Sequence, residues 1–132
     1  HVNHDHPLHI LIRDKGMLLV RITMDTTNGA LGYGIEYGYS AMERLRQAAL
    51  QGDSMTQFPM LVTPGFEAWK TKEAKVNVGV PAAWGDWSRR SINWETLTAI
   101  TLLEAGADII VLRHPESIQN VKAAIRELMA VE

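Results

Sequence analysis

The sequence predicts an α/β fold in which parallel strands are joined by helical crossovers. Short apolar segments alternate with amphipathic segments along the chain, and turn-forming residues end the first two apolar segments. A third apolar segment, at 108–112, is β-branched and has no polar alternation, which is typical of a strand buried on both faces. The predicted order is helix, strand, helix, strand, helix, strand, helix, and this alternation favours a parallel sheet.

Composition limits the possible functions of the chain. With 132 residues, 46% of them hydrophobic and 21% charged, we expect one soluble globular domain. A net charge of −2 gives no general electrostatic reason to bind nucleic acid or an anionic membrane. The absence of cysteine excludes disulfides, thiolate metal sites and an iron–sulfur cluster, and it fits a reducing cytoplasm. We see no signal peptide, and no apolar run reaches the ~18 residues of a membrane span.

The first nine residues hold four of the five histidines, and they have a different composition from the rest of the chain. They are His1, His4, His6 and His9. This spacing resembles a metal site, but it has no carboxylate or cysteine framework beside it, so we favour a disordered or cloning-derived start. We therefore assign residues 10–132 to the domain, with the remains of a helix that stops near Gly16.

The central stretch predicts one complete strand–loop–helix unit. An apolar strand at 17–24 is followed by turn-forming residues at 25–29 and then by a loop rich in glycine and tyrosine. Ser40 is a reasonable N-cap with Glu43 as its capping-box partner, and Gly52 stands where the helix should end. In α/β folds the loop after a strand's carboxyl end is where function usually lies.

Two further units follow, separated by a long connection. We predict a strand at 58–62 that ends at Thr63, a short helix at 66–73, and a helix at 92–105 that ends at Gly106. The connection at 66–90 is much longer than the median loop of ~4–6 residues, which is typical of a lid or a partner surface. The last strand is followed by a helix at 116–129. Three parallel strands cannot close a barrel, so the chain is either a small open sheet or part of a larger barrel.

Seven sequence blocks between about Leu8 and Met129 resemble a known family in one register. They lie at 29–37, 42–46, 48–53, 65–74, 94–95, 102–108 and 113–116. The chain resembles the small subunit of the corrinoid iron–sulfur protein, which in archaea is the delta subunit of the acetyl-CoA decarbonylase/synthase complex. The resemblance implies a TIM-type (β/α)₈ barrel of which this chain supplies the last three β/α units, incomplete as a barrel on its own. The chain departs from the family in lacking the first half, in its histidine-rich start, and in Thr26, where a proline is expected.

The resemblance also implies a function and partners. The chain would be a non-catalytic, cytoplasmic scaffold in a methyl carrier that moves a methyl group from a methyl-pterin to acetyl-CoA synthase in the reductive acetyl-CoA (Wood–Ljungdahl) pathway. The corrinoid (cobamide) would be shared with a large subunit that carries the iron–sulfur cluster, and this chain would hold no cluster. Transient partners would be the methyl-pterin methyltransferase and acetyl-CoA synthase, and open barrel edges would allow self-association.

Candidate site residues lie at the ends of the three strands and on the long connection. The candidates for corrinoid binding are Asp25, Thr26, Thr27, Asn28, Gly32, Tyr33, Gly34, Thr63, Arg113 and His114. The candidates for partner binding are Trp84, Trp87, Arg89 and Arg90, since tryptophan and arginine are enriched in interfaces. Each has a structural alternative: turn formation, packing, a structural hydrogen bond from His114, or indoles that seal the rim. We predict no catalytic residue and no metal ligand.

The sequence does not predict a pair of catalytic carboxylates, and it leaves two other functions open. Glu95 and Glu104 are nine residues apart, half a helical turn out of phase, so we expect solvated or capping charges and no carboxylate pair. One alternative function is a methyltransferase barrel that binds methyl-pterin, with Asp25 and Asn28 as the polar groups. Another is an inactive half-barrel fragment that self-associates. Ligand binding separates the first two functions, and a size measurement tests the third.

Overall fold

The computed structural model describes residues 2–26 and 28–130 of the chain, with side chains from residue 7 onward. The described part contains five α-helices and three strands, which alternate along the chain apart from the short α3 between β2 and α4. They are α1 (Val2–Asp14), β1 (Met24–Asp25), α2 (Ile35–Leu50), β2 (Met60–Val62), α3 (Pro64–Lys70), α4 (Trp87–Glu104), β3 (Ile109–Ile110) and α5 (Pro115–Met129). Single 3₁₀ turns lie at Leu19–Arg21, Ser54–Thr56 and Ala82–Trp84.

The three strands form one parallel sheet in the order β1-β2-β3, so the predicted α/β class is confirmed. Asp25 pairs with Leu61, and Leu61 pairs with Ile109, which places these three residues in one row across the sheet. Because parallel crossovers are almost always right-handed, a sheet built in chain order carries its connecting helices on one face. The contacts between α2 and α4 agree with this arrangement.

The core lies between the sheet and these helices. Met24, Met60 and Val62 point into it and are at most 5% exposed. On the opposite face Ile109 is 41% exposed and Asp25 is also exposed, while Leu61 is partly buried. The expectation that the third strand is buried on both faces is therefore wrong in this structure, because the described residues cover the second face only in part.

The first strand is much shorter than the predicted segment at 17–24. Its ladder begins where Met24 N–H donates to the Pro59 carbonyl at 2.8 Å, and β2 has no residues further back for an earlier pairing. The upstream residues instead form a 3₁₀ turn at Leu19–Arg21, and Val20 is 91% exposed. Strand length here is limited by the available partner strand.

Two helices begin earlier than the sequence predicted. Gly34, with φ of 88°, precedes α2, so Ser40 lies inside the helix and is not its N-cap. Asp86 is the N-cap of α4 and accepts a hydrogen bond from Arg89 N–H at 3.0 Å. The predicted ends are confirmed, since Gly52 and Gly106 follow α2 and α4 with φ of 98° and 112°.

Helix α4 buries a face that carries several polar residues. Leu97 on this helix, although apolar, is 52% exposed. The buried residues are Arg90, Ser91, Ile92, Glu95, Thr98, Ala99 and Leu102. Glu95 is 0% exposed, so the expectation of a solvated charge at this position is wrong. Apolar periodicity does not reveal this buried face, because it includes small alcohol side chains.

Helix α1 includes most of the histidine-rich start. His9 is buried, its Nδ1 lies 2.8 Å from the Met55 carbonyl, and its ring meets Phe58 edge-on at 4.8 Å. His1 and the side chains of His4 and His6 lie outside the described residues, and so does the metal alternative that depends on them. Within the described ranges no helix has the length and apolar character that a membrane span requires.

Candidate functional site at the carboxyl edge

The three strands end together, because parallel strands in register place their carboxyl ends at the same edge of the sheet. We call this edge, with the residues that follow the strands there, the carboxyl edge. It consists of Asp25 at the end of β1, Thr26 and Asn28 in the following loop, Thr63 after β2, and Arg113 and His114 after β3. The sequence thus predicted six residues that the fold brings to one edge; Thr27 lies outside the described residues.

In the loop after β1, Asn28 points into the protein. It is 8% exposed, and its Nδ2 donates to Thr26 Oγ1 at 2.8 Å. Among the described residues its Oδ1 has no hydrogen-bond partner, and it lies against α2, where a Cβ on Gly38 would come within 2.0 Å of it. Gly38 is therefore required for the close approach of this loop to the helix. Asp25, at the end of β1, is exposed.

The glycine loop carries Tyr33 outward. Gly32 and Gly34 on either side of it have φ of 77° and 88°, a conformation that favours glycine. Tyr33 is 48% exposed, and its hydroxyl donates to Glu73 Oε2 at 2.5 Å. This hydrogen bond raises the pKa of Tyr33 and lowers the pKa of Glu73. It joins the glycine loop to the segment after α3.

The end of β2 leads directly into α3, which lies against the end of β3. Thr63 is partly buried and precedes α3 as its N-cap residue. Gly65 N–H donates to the Val111 carbonyl at 3.0 Å, and a Cβ on Gly65 would lie 2.7 Å from the Arg113 nitrogen. Only a glycine at position 65 allows this approach without a shift of the backbone.

Three side chains form a stack at the carboxyl edge, which we call the Arg–Trp–His stack. The guanidinium carbon of Arg113 lies 5.2 Å from the ring centroid of Trp69, and the His114 ring lies 6.3 Å from Trp69 at an interplanar angle of 20°. His114 Nδ1 accepts from Glu116 N–H at 3.1 Å, which leaves its Nε2 as the donor in the neutral ring. Within residues 7–26 and 28–130 no carboxylate forms a salt bridge with Arg113.

Glu95 holds the backbone beneath this stack. Its Oε1 accepts from Arg113 N–H, and its two oxygens lie 3.4 and 3.2 Å from the nitrogen of His114. We did not predict Glu95 as a site residue. Its spacing from Ile92, Ala99 and Leu102 on α4 was the signal that could have revealed its burial. Trp69 and Glu73 were also missed as contact residues, since nothing local marks them.

Two of the four partner candidates are exposed aromatic residues. Trp84 and Trp87 are 48% and 43% exposed. Trp84 meets Trp94 edge-on at 5.8 Å, and Trp94 Nε1 donates to the Leu31 carbonyl at 2.9 Å, which ties the long connection to the glycine loop. Trp87 lies in the first turn of α4 and not in the loop.

The two arginines that follow have different surroundings. Arg89 is exposed and forms an ion pair with Glu116 of α5. Arg90 is 5% exposed and donates to the carbonyls of Glu73 at 2.6 Å, of Gly85 at 2.9 Å and of Val76. Its guanidinium is thus used to hold the segment 71–86, and it is not presented to a partner.

The carboxyl edge has the chemistry of a binding surface. His114 Nδ1 is occupied by a backbone N–H, and the described side chains at this edge contain no nucleophile hydrogen-bonded to a base. The arrangement offers the Arg113 guanidinium and His114 Nε2 as donors, and Tyr33 as an exposed aromatic surface. The fold and the site together define a parallel α/β protein with polar and aromatic side chains at one edge of its sheet.

Comparisons with known proteins identify the family. Residues 2–126 match the family model described as the CO dehydrogenase/acetyl-CoA synthase delta subunit. The chain belongs to this family. It is 40% identical over 112 residues to the acetyl-CoA decarbonylase/synthase complex subunit delta 1 of Methanosarcina thermophila, covering 82% of this chain and 25% of that protein. It is 37% identical over 119 residues to the delta subunit of Methanopyrus kandleri, covering 90% and 28%.

A third relative extends the match along the chain. The delta subunit of Methanothermobacter thermautotrophicus is 35% identical over 135 aligned residues, which cover 99% of this chain and 34% of that protein. The chain therefore spans between a quarter and about a third of the length of these curated relatives.

Proposed function

We propose that this chain supplies the last three β/α units of a (β/α)₈ barrel that scaffolds a corrinoid methyl carrier of the acetyl-CoA decarbonylase/synthase type. Its carboxyl edge would face a corrinoid carried by a large subunit. The observation that carries this proposal is the Arg–Trp–His stack, because it presents fixed donors at the edge without any nucleophile. The chain would bind and shield the cofactor and would not react with it.

Barrel origin is supported by the topology. The strands are parallel and lie in chain order, and the helices that connect them contact one another on one face. The opposite face carries a row formed by Asp25, Leu61 and Ile109, and this face would line the barrel interior. The rest of the barrel would correspond to the parts of the relatives' sequences that lie outside the match.

The residues at the carboxyl edge fit a corrinoid. Its rim carries amide groups and its nucleotide tail carries a phosphate, and the Arg113 guanidinium and His114 Nε2 can donate to either. Tyr33 would pack on the macrocycle next to Gly32, where a Cβ would meet only Trp94, at 3.9 Å. When bound, the corrinoid would supply a cobalt centre for methyl transfer from a methyl-pterin to acetyl-CoA synthase.

The large subunit would also contact the long connection. Trp84 and Trp87 are exposed, and Arg89, also exposed, follows Trp87 by two residues on α4; tryptophan and arginine are enriched at binding hot spots. Arg90 would act indirectly, by holding the segment that presents Trp84.

The pterin-binding alternative has less support. It requires Asp25 and Asn28 to hold the pterin, but Asn28 is buried, donates to Thr26 and points toward α2. Tight binding of methyl-pterin by this chain alone would nevertheless replace the scaffold function with this one.

Substitution of Arg113 tests the proposal. The affinity of the corrinoid-loaded large subunit for this chain is measured by calorimetry for wild type, Arg113→Ala and Arg126→Ala. Loss of charged hydrogen bonds should weaken binding by Arg113→Ala about 10- to 100-fold. Arg126, in the last turn of α5 and away from the edge, is the matched control and should leave the affinity unchanged. Equal affinities for all three proteins would contradict the proposal.

A further inference from the structure

Glu95 is a carboxylate with no solvent exposure in this chain, although it belongs to a helix with an exposed side. A buried carboxylate is costly unless hydrogen bonds compensate for the lost water. Here both oxygens are used, and both face backbone N–H groups of two consecutive residues, Arg113 and His114. An apolar residue at this position would pack without this cost, so the carboxylate requires a specific explanation.

The hydrogen bonds of Glu95 fix the part of the backbone from which the Arg–Trp–His stack extends. The backbone nitrogen of Arg113 is close to two elements, because Gly65 of α3 and the Glu95 carboxylate of α4 both approach it. Its guanidinium then lies over Trp69, which also belongs to α3. The direction of the Arg113 side chain is thus set by contacts of its backbone with two helices.

The packing of α4 against α5 does not depend on this carboxylate alone. Ser117 is fully buried, and its hydroxyl lies 3.4 Å from the Ile92 carbonyl. Arg89 of α4 also pairs with Glu116 of α5. Because other contacts join these helices, the interaction of Glu95 with the two amides has a more local consequence than helix packing.

We propose that Glu95 is a positioning residue: its buried carboxylate holds the backbone at 113–114 so that the Arg–Trp–His stack presents the Arg113 guanidinium and His114 Nε2 at the carboxyl edge. The effect on ligand binding rests on the proposed function, while the effect on the local structure does not. Glu95 itself touches no ligand in this account.

The first part of the test measures local structure without any ligand. Amide hydrogen exchange and NMR spectra of this chain are compared for wild type, Glu95→Gln and Glu104→Gln. Glu104 is an exposed glutamate of the same helix, so its substitution is the matched control. Glu95→Gln should speed exchange at Arg113 and His114 at least ~10-fold and shift the Trp69 indole N–H signal, because one acceptor is lost and an NH₂ group faces a donor. Glu104→Gln should change neither.

A second variant covers the case in which Glu95→Gln does not fold. Glu95→Asp keeps the charge but shortens the side chain, so it should keep the fold and lose protection at the same two amides. Ser117→Ala perturbs the α4–α5 contact without touching Glu95. If Glu95→Asp and Ser117→Ala raise exchange uniformly over α4 and α5, Glu95 has only a general structural role and the proposal is overturned.

The second part measures coupling to binding. The affinity for the corrinoid-loaded large subunit is compared for Glu95→Asp, Arg113→Ala and the double variant. If Glu95 acts through Arg113 and His114, Glu95→Asp should weaken binding less in the Arg113→Ala background than in the wild type. Additive losses would overturn the positioning role. If none of the proteins binds the large subunit, the proposed function fails, and the local exchange measurement still decides whether Glu95 positions the stack.

Discussion

Tyr33 and Glu73 show how one hydrogen bond joins the glycine loop to the segment after α3. The tyrosine hydroxyl donates to the carboxylate at 2.5 Å, and the two residues belong to the glycine loop and to the segment after α3. Hydrogen bonding to Glu73 raises the pKa of Tyr33 above its ordinary 10.0, and the same bond lowers the pKa of Glu73 below its ordinary 4.5. The bond is therefore sensitive to pH at both ends.

This pair predicts a defined pH window. Because the pKa of Glu73 is lowered in the folded protein, its contribution to the free energy of unfolding is fully present above pH 4.5 and is lost as the pH falls through the folded pKa. Because the pKa of Tyr33 is raised in the folded protein, its contribution to the free energy of unfolding is fully present below pH 10.0 and is lost as the pH rises through the folded pKa. Titration of tyrosinate absorbance should show one late-titrating tyrosine that Tyr33→Phe removes.

Tyr37 provides the control for this titration, because it is 78% exposed and belongs to the adjacent start of α2. Tyr37→Phe should leave the late titration in place. A late titration that survives Tyr33→Phe would show that the Tyr33–Glu73 hydrogen bond is absent in solution.

At the scale of elements, one buried arginine holds the long connection at three points. Arg90 donates to three carbonyls of the segment 71–86, which has no α-helix or strand of its own. Arg89, one residue earlier, makes an exposed ion pair with Glu116. Adjacent positions on α4 thus separate an internal role from a surface role.

Substitution of the two arginines by lysine measures this difference. Arg90→Lys keeps the charge but cannot reach three acceptors, so it should lower the free energy of unfolding by about 2–4 kcal/mol. Arg89→Lys should cost less than ~1 kcal/mol, since exposed ion pairs contribute little. Urea denaturation followed by circular dichroism gives both values. Similar costs for the two variants would contradict the internal role of Arg90.

Several elements could be predicted from the sequence, and the reasons are local. Gly52 and Gly106 marked the ends of α2 and α4, and the apolar segments gave the order of the three strands. The helix starts were missed because Ser40 competed with Gly34, and because Asp86 was assigned to a loop. These misplacements follow from weak local signals that several positions share.

The missing parts of the site depend on contacts between distant segments. The six carboxyl-edge residues could be predicted because each lies at a strand end or within four residues after it. Trp69, Glu73 and Glu95 could not, since their partners are Arg113, Tyr33 and the backbone at 113–114. Arg90 was expected at a partner surface, and only the fold of the segment 71–86 shows that it is internal.

At the scale of the whole molecule, the sheet has one well-covered face and one partly covered face. Met60 and Val62 are buried under the helices, while Ile109 on the other face is 41% exposed. Exposed apolar strands favour association with another chain or with further strands. In the proposed function this face would line a barrel interior, and the carboxyl edge would face the corrinoid and the large subunit.

Solution mass by light scattering tests this account most directly. The purified chain is measured alone and with the corrinoid-loaded large subunit. We expect a monodisperse complex of one copy of each, because the carboxyl edge and the exposed Trp84 and Trp87 are formed by this chain itself. A homodimer or aggregate whose mass does not change when the large subunit is added would contradict the account.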